Sequence, residues 1–130
     1  HDVAPGILTE FHPWLKENVF PADGRLLDLA RETVKKWDSS HRVVFGRMLT
    51  GEQFIDNSNR ETVKAKFAPL SVDMETAAVA HVCYVHRIPW LAVRTITDTP
   101  EKQGADIFEK NCREASQLSA SFVKEILRQI

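Results

Sequence analysis

The sequence predicts an α/β domain, and three observations carry the prediction. Stretches of strand character alternate with stretches of helical periodicity along most of the chain. "PWLAVRTIT", from Pro89 to Thr97, is a near-continuous apolar run, the pattern of a parallel strand covered on both faces. From Ile107 to Ile130, Phe108, Cys112, Ala115, Leu118, Phe122, Ile126 and Ile130 recur at spacings of three and four, one face of a long amphipathic helix.

Taken in order, residues 1–22 hold Pro5, Gly6, Pro13 and Pro21 with scattered aromatics and little periodicity, so they read as a loop or arm. "PADGRLLDLARETVKKW" follows as a helix. Asp23 is a suitable N-cap, and Leu26, Leu27, Leu29, Ala30 and Val34 form its stripe. "HRVVFGRMLTG" is β-branched and apolar and stops at Gly51, a buried strand. "NSNRETVKAKF" reads as a short helix and "APLSVDM" as a short strand. "TAAVAHVCYVH" is small and apolar, a helix packed closely on a sheet and broken by Pro89. There are no repeats and no clear linker, so residues 1–130 read as one domain.

Bulk properties exclude several classes. The chain has 130 residues, 43% of them hydrophobic, and a formal net charge of -1. No long basic block offers a nucleic-acid footprint. No apolar run approaches the roughly 18 residues of a membrane span. The opening "HDVAPG" has no apolar h-region of a signal peptide. Cys83 and Cys112 form neither a disulfide framework nor a metal spacing, and read as small buried residues in a reducing, cytoplasmic setting. His1, His12, His41, His81 and His86 supply no ligand pair on one helix face, so neither metal nor organic cofactor is expected.

Ligands of α/β sheets gather at the carboxyl ends of strands. Phe54 and Ile55 follow the first strand, Met74 and Glu75 the second, and Asp98 the third. Each has a plain structural reading as well. Asp98 before Pro100 can be a turn or cap residue. Glu75 can be a favourable charge in the first turn of a helix. Arg94, flanked by Leu91, Val93 and Ile96, is harder to explain this way. A guanidinium inside an apolar strand needs a partner, and the nearest logical one is a carboxylate at a neighbouring strand end.

"SVDMETAAVAHVC", "VRTITD" and the upstream "GEQFI" together resemble the signature of the purine/uridine phosphorylase superfamily, and within it the methylthioadenosine/S-adenosylhomocysteine nucleosidases. The three motifs come in the right order, and the resemblance covers roughly residues 20–130. The stretch "APGILTEFHPWLKEN" departs from the family pattern. Asp73 stands where glutamate is usual, Thr95 where alanine is usual, and Thr97 where serine is usual.

The resemblance implies the C-terminal part of a phosphorylase/hydrolase-like three-layer α/β/α fold with a mixed central sheet. It makes Asp98 the general acid that protonates purine N7, so that the base leaves neutral. Glu75 becomes the acceptor for ribose hydroxyls, with Met74 against the sugar. Phe54 stacks on adenine and Ile55 offers its backbone to the base edge. Phe108 caps the pocket, although it fits a helix core equally well. Asp73 and Thr97 belong to the same substrate-contact set, and Arg94 holds the attacking water. The implied substrate is an adenine thionucleoside, and the implied assembly is a homodimer. The family builds its domain from about twice this length. The expectation is therefore an incomplete domain whose N-terminal half, with the Gly-rich first turn and the carboxylate that activates water, is absent from this chain. Two other readings stay open: a phosphate-dependent nucleoside phosphorylase of the same fold, and a non-catalytic nucleoside-binding or oligomerisation module.

Overall fold

A computed structural model describes residues 19–37, 40–53, 55, 59–97, 99 and 105–130, with side chains from Lys110 onward in the last stretch. In chain order the elements are α1 (Gly24–Lys36), β1 (Met48–Thr50), α2 (Arg60–Phe67), β2 (Ser71–Asp73), α3 (Thr76–Val85) and α4 (Ala105–Leu127). The strands pair in parallel, with Met48 opposite Ser71, Leu49 opposite Val72 and Thr50 opposite Asp73. The Leu70 amide donates to the Arg47 carbonyl at 2.9 Å and the Gly51 amide to the Asp73 carbonyl at 2.9 Å, extending the contact beyond each end. This is a β-α-β unit with α2 as its crossover, the connection that parallel strands require.

Local chemistry explains the helix ends. Asp23 accepts from the Leu26 amide at 3.0 Å and so caps α1. Lys35 and Lys36 lie in its last turn, where the helix dipole favours cations. Ala68 closes α2 in the left-handed conformation, φ 45°, and Arg87 follows α3 at φ 55°. Near the start of the described chain, Phe20 stacks on His81 of α3 at a centroid distance of 4.9 Å.

The core lies between α1 and α4. Ala30, Phe122 and Ile126 are buried together, with Leu29, Val34, Trp37, Val43, Leu91 and Val93 packed around them. Trp37 and Phe122 meet edge to face at 5.2 Å.

Two sequence expectations change. The strand expected over residues 41–51 shortens to Met48–Thr50. The expected strand at Pro89–Thr97 has no ladder among the described residues. Instead it is fastened to α4 by side chains: Asn111 donates to the Thr97 carbonyl at 2.9 Å, and the Thr95 and Ser119 hydroxyls hydrogen-bond to each other. Apolar, β-branched sequence favours strands, but a ladder also needs a neighbouring backbone. Along this segment burial alternates. Leu91 and Val93 face the core, whereas Arg94 and Ile96 are exposed among the described residues. Arg94 is thus not buried as the apolar run suggests, because every second side chain points to the other face.

Candidate functional site

The carboxyl ends of β1 and β2 and the N-terminus of α3 are joined by one hydrogen-bond cluster. Thr50 ends β1 and Asp73 ends β2, directly across the ladder. The Thr50 hydroxyl donates to Asp73 Oδ1 at 2.8 Å and accepts from the Ala77 amide at 2.9 Å. The same Oδ1 accepts from the Glu75 amide at 3.1 Å and the Thr76 amide at 2.9 Å. Two strand ends therefore satisfy amides of the first turn of α3 that the helix cannot satisfy itself. Burial alone would push the Asp73 carboxyl up. The bonds from the Thr76 hydroxyl and amide, the Thr50 hydroxyl and the Glu75 amide outweigh it and hold the group below its ordinary value.

This frame presents Glu75 at the N-cap position of α3, with its side chain free of any capping bond. The carboxylate instead accepts from Arg94 at 2.6 Å. Arg94 Nε also lies 3.8 Å from Asp73 Oδ2. The guanidinium thus sits against two carboxylates from the end of β2, the kind of partner the sequence required. Glu75 and Arg94 line a cleft of about 320 Å³ with Thr76, Val79, Leu91 and Val93. A larger cleft of about 580 Å³ lies at the other end of α3, beside Tyr84, Arg87 and Trp90. Its carboxylate is Asp23, already committed to capping α1.

Of the remaining sequence candidates, Met74 is half-exposed, next to Glu75 in the β2–α3 turn. Thr97 is half-buried, and its carbonyl is held by Asn111. Ile55 is half-buried beyond β1. Phe54, Asp98 and the side chain of Phe108 lie outside the described residues. Thr50 was not a sequence candidate. Its signal is faint, a hydroxyl residue one position before Gly51 at the end of a strand. Among the described residues no group of three His, Cys, Asp or Glu is placed to hold a metal ion. No helix among them is long and apolar enough to cross a membrane.

The carboxylate–guanidinium pair lies at the carboxyl end of β2, the edge of an α/β sheet where ligands gather. Comparison with known proteins sharpens this. Residues 2–128 match the phosphorylase superfamily, and the chain belongs to that family. It is 32% identical over 113 residues to a 5'-methylthioadenosine/S-adenosylhomocysteine nucleosidase of Bacillus cytotoxicus, covering 85% of this chain and 48% of the relative. A Bacillus subtilis protein of the same name is 31% identical over the same shares. A Borrelia burgdorferi structure named for the same activity and bound to adenine superposes with a TM-score of 0.82 and 36% identity, over 95% of this chain and 55% of that one. A futalosine hydrolase of Helicobacter pylori gives a TM-score of 0.76 at 27% identity, with the same coverage. The chain spans about half the length of the curated relatives it matches.

Proposed function

We propose that this chain is the C-terminal portion of a purine nucleosidase that hydrolyses the N-glycosidic bond of adenine thionucleosides such as methylthioadenosine and S-adenosylhomocysteine. The observation that carries the reading is the Glu75–Arg94 pair at the end of β2, at 2.6 Å on the wall of an open cleft. It puts an ionised acceptor suited to paired sugar hydroxyls beside a cation suited to a polar nucleophile. The names of the relatives, and the adenine in one similar structure, support the same substrate class.

In the proposed reaction a water oxygen attacks C1′ of the sugar and the C1′–N9 bond breaks. Its electron pair passes to the base, and Asp98 gives a proton to N7. The water's own proton goes to a carboxylate outside this chain. Asp98 must begin protonated, which a closed apolar pocket favours. Glu75 holds the ribose hydroxyls and Met74 lies against the sugar. Phe54, Ile55 and Phe108 enclose the base, Thr97 adds a further substrate contact, Asp73 acts from behind the end of β2 rather than on the substrate itself, and Arg94 positions the water. No metal or organic cofactor takes part. The remainder of the family domain completes the pocket, and the assembled enzyme is a cytoplasmic homodimer.

Membership of the phosphorylase superfamily favours one second reading, with phosphate rather than water as the nucleophile. Phosphorus NMR of methylthioadenosine turnover in phosphate buffer separates the two. Hydrolysis leaves inorganic phosphate unchanged, whereas a sugar 1-phosphate resonance overturns the hydrolase reading.

A further inference from the structure

Asp73 uses its two oxygens differently. Oδ1 is fully engaged, by Thr50 at 2.8 Å, Glu75 at 3.1 Å and Thr76 at 2.9 Å. Oδ2 is buried and has no hydrogen-bond partner among the described residues. The side chain as a whole is only 8% exposed. A buried carboxylate oxygen without a donor is costly, so its surroundings should offer one. The nearest cationic donor is Arg94 Nε–H, 3.8 Å away and just outside hydrogen-bond reach. The other end of that guanidinium is held by Glu75 at 2.6 Å. The Arg94 side chain is 40% exposed, so its head has room to turn.

We propose that Asp73 is a positioning residue for Arg94: its Oδ2 is the second seat onto which the guanidinium settles when a bound sugar's hydroxyls take over the Glu75 carboxylate. The inference rests on the reading of Glu75 as the sugar contact. In the empty site Arg94 satisfies Glu75. An entering diol competes for the same lone pairs, and a guanidinium displaced without a second seat would swing toward solvent. A movement of about 1 Å brings Nε–H onto Oδ2 at normal hydrogen-bond length. The positive charge then stays in the cleft, beside the sugar. Thr50 belongs to the device because its hydroxyl fixes the carboxylate rotation that aims Oδ2 at Arg94.

Asp73→Asn tests this in the assembled enzyme. Asparagine remains a good acceptor for the α3 amides, yet it presents an NH2 group or an uncharged oxygen to Arg94. A purely structural role predicts near-normal turnover. Seating predicts a kcat loss on the order of 10- to 100-fold, the scale of a misplacement of about 1 Å, with KM little changed at a temperature where the variant is fully folded. The loss should vanish in an Arg94→Ala background, where no guanidinium remains to seat. Thr50→Ser should retain turnover and Thr50→Val should share the kcat loss. If Asp73→Asn does not fold, Thr50→Val carries the test, because it releases the carboxylate rotation while leaving both Asp73 and Arg94 in place. Wild-type kcat in Asp73→Asn or Thr50→Val, or additive losses in the double variant, overturns the proposal.

A readout independent of turnover separates this failure from failure of the proposed activity. The Arg94 Nε–H proton resonance should move downfield when methylthioadenosine is added to an Asp98→Asn enzyme, and the move should be lost on adding Asp73→Asn. If methylthioadenosine binds without moving that resonance, the seat is wrong and the nucleosidase reading stands. If it neither binds nor is cleaved, the nucleosidase reading falls and the second seat falls with it.

Discussion

Gln129 donates to the Thr33 hydroxyl at 2.6 Å, joining residues 96 positions apart. Thr33 is buried, and its hydroxyl donates a hydrogen bond to the Leu29 carbonyl at 2.8 Å. The C-terminal turn beyond α4 is thereby fastened to the inner face of α1, beside the Trp37–Phe122 contact. Gln129→Ala should cost about 1 kcal/mol, the net worth of a hydrogen bond to a partly solvated donor. Phe122→Ala should cost about 3–5 kcal/mol, because it also opens a cavity against Ala30 and Ile126. Urea unfolding of both variants checks the order. Equal losses would mean that the helix pair is held by its polar clasp rather than by its core.

Asp98→Asn should abolish cleavage while leaving nucleoside binding largely intact. Asparagine keeps the size and can still hydrogen-bond, but it is a poor proton donor to N7. The expected loss is of order 10²–10⁴-fold. A coupled assay of adenine release on the assembled enzyme measures it, and turnover near that of the wild type would remove Asp98 from the mechanism.

On the proposed reading of Glu75 as the ribose contact, Glu75→Ala should raise KM and lower kcat together. Losing an acceptor for two hydroxyls costs about 2–4 kcal/mol on the scale of charged hydrogen bonds. A 2'-deoxy substrate should suffer less from the substitution than the ribo substrate does. Equal sensitivity would make Glu75 a helix-terminal charge and nothing more.

Asp73 should make stability pH-dependent in acid. Its folded pKa lies below the ordinary value of 3.8. The stabilisation is therefore fully present above that value and is lost as pH falls through the folded pKa. Melting temperatures between neutral pH and strong acid should show this loss at the acid end, and Asp73→Asn should flatten it. An acid limb unchanged by the substitution would show that other carboxylates set it.

The helices were legible because their signals are local. Asp23 reads as an N-cap and acts as one, and Ala115, Phe122 and Ile126 of the expected stripe are buried, whereas Ile130 at its end lies beyond α4 and is exposed. The strands were over-read, since residues 41–47 have strand composition but only Met48–Thr50 joins the ladder. The Glu75–Arg94 pairing could be argued from an apolar strand interrupted by a charge. The Thr50–Asp73 contact could not, because those residues lie 23 positions apart and meet only through the register of two short strands. One sequence carries no record of that register. The same limit explains Arg94: continuous apolarity suggested two covered faces, and only pairing partners decide which faces are covered.

Two helices end on residues with a Cβ in backbone conformations where glycine is the usual occupant: Ala68 at φ 45° after α2, and Arg87 at φ 55° after α3. A side chain in this geometry costs roughly 1–2 kcal/mol, partly offset in glycine by the greater freedom of the unfolded chain. For protein engineering these are the first places to seek heat resistance. Ala68→Gly removes strain at the exit of the β1–β2 crossover, and Arg87→Gly does so at the end of α3 away from Glu75. Neither touches the Glu75–Arg94 cleft, so a thermotolerant variant built on them should leave that ion pair as it is.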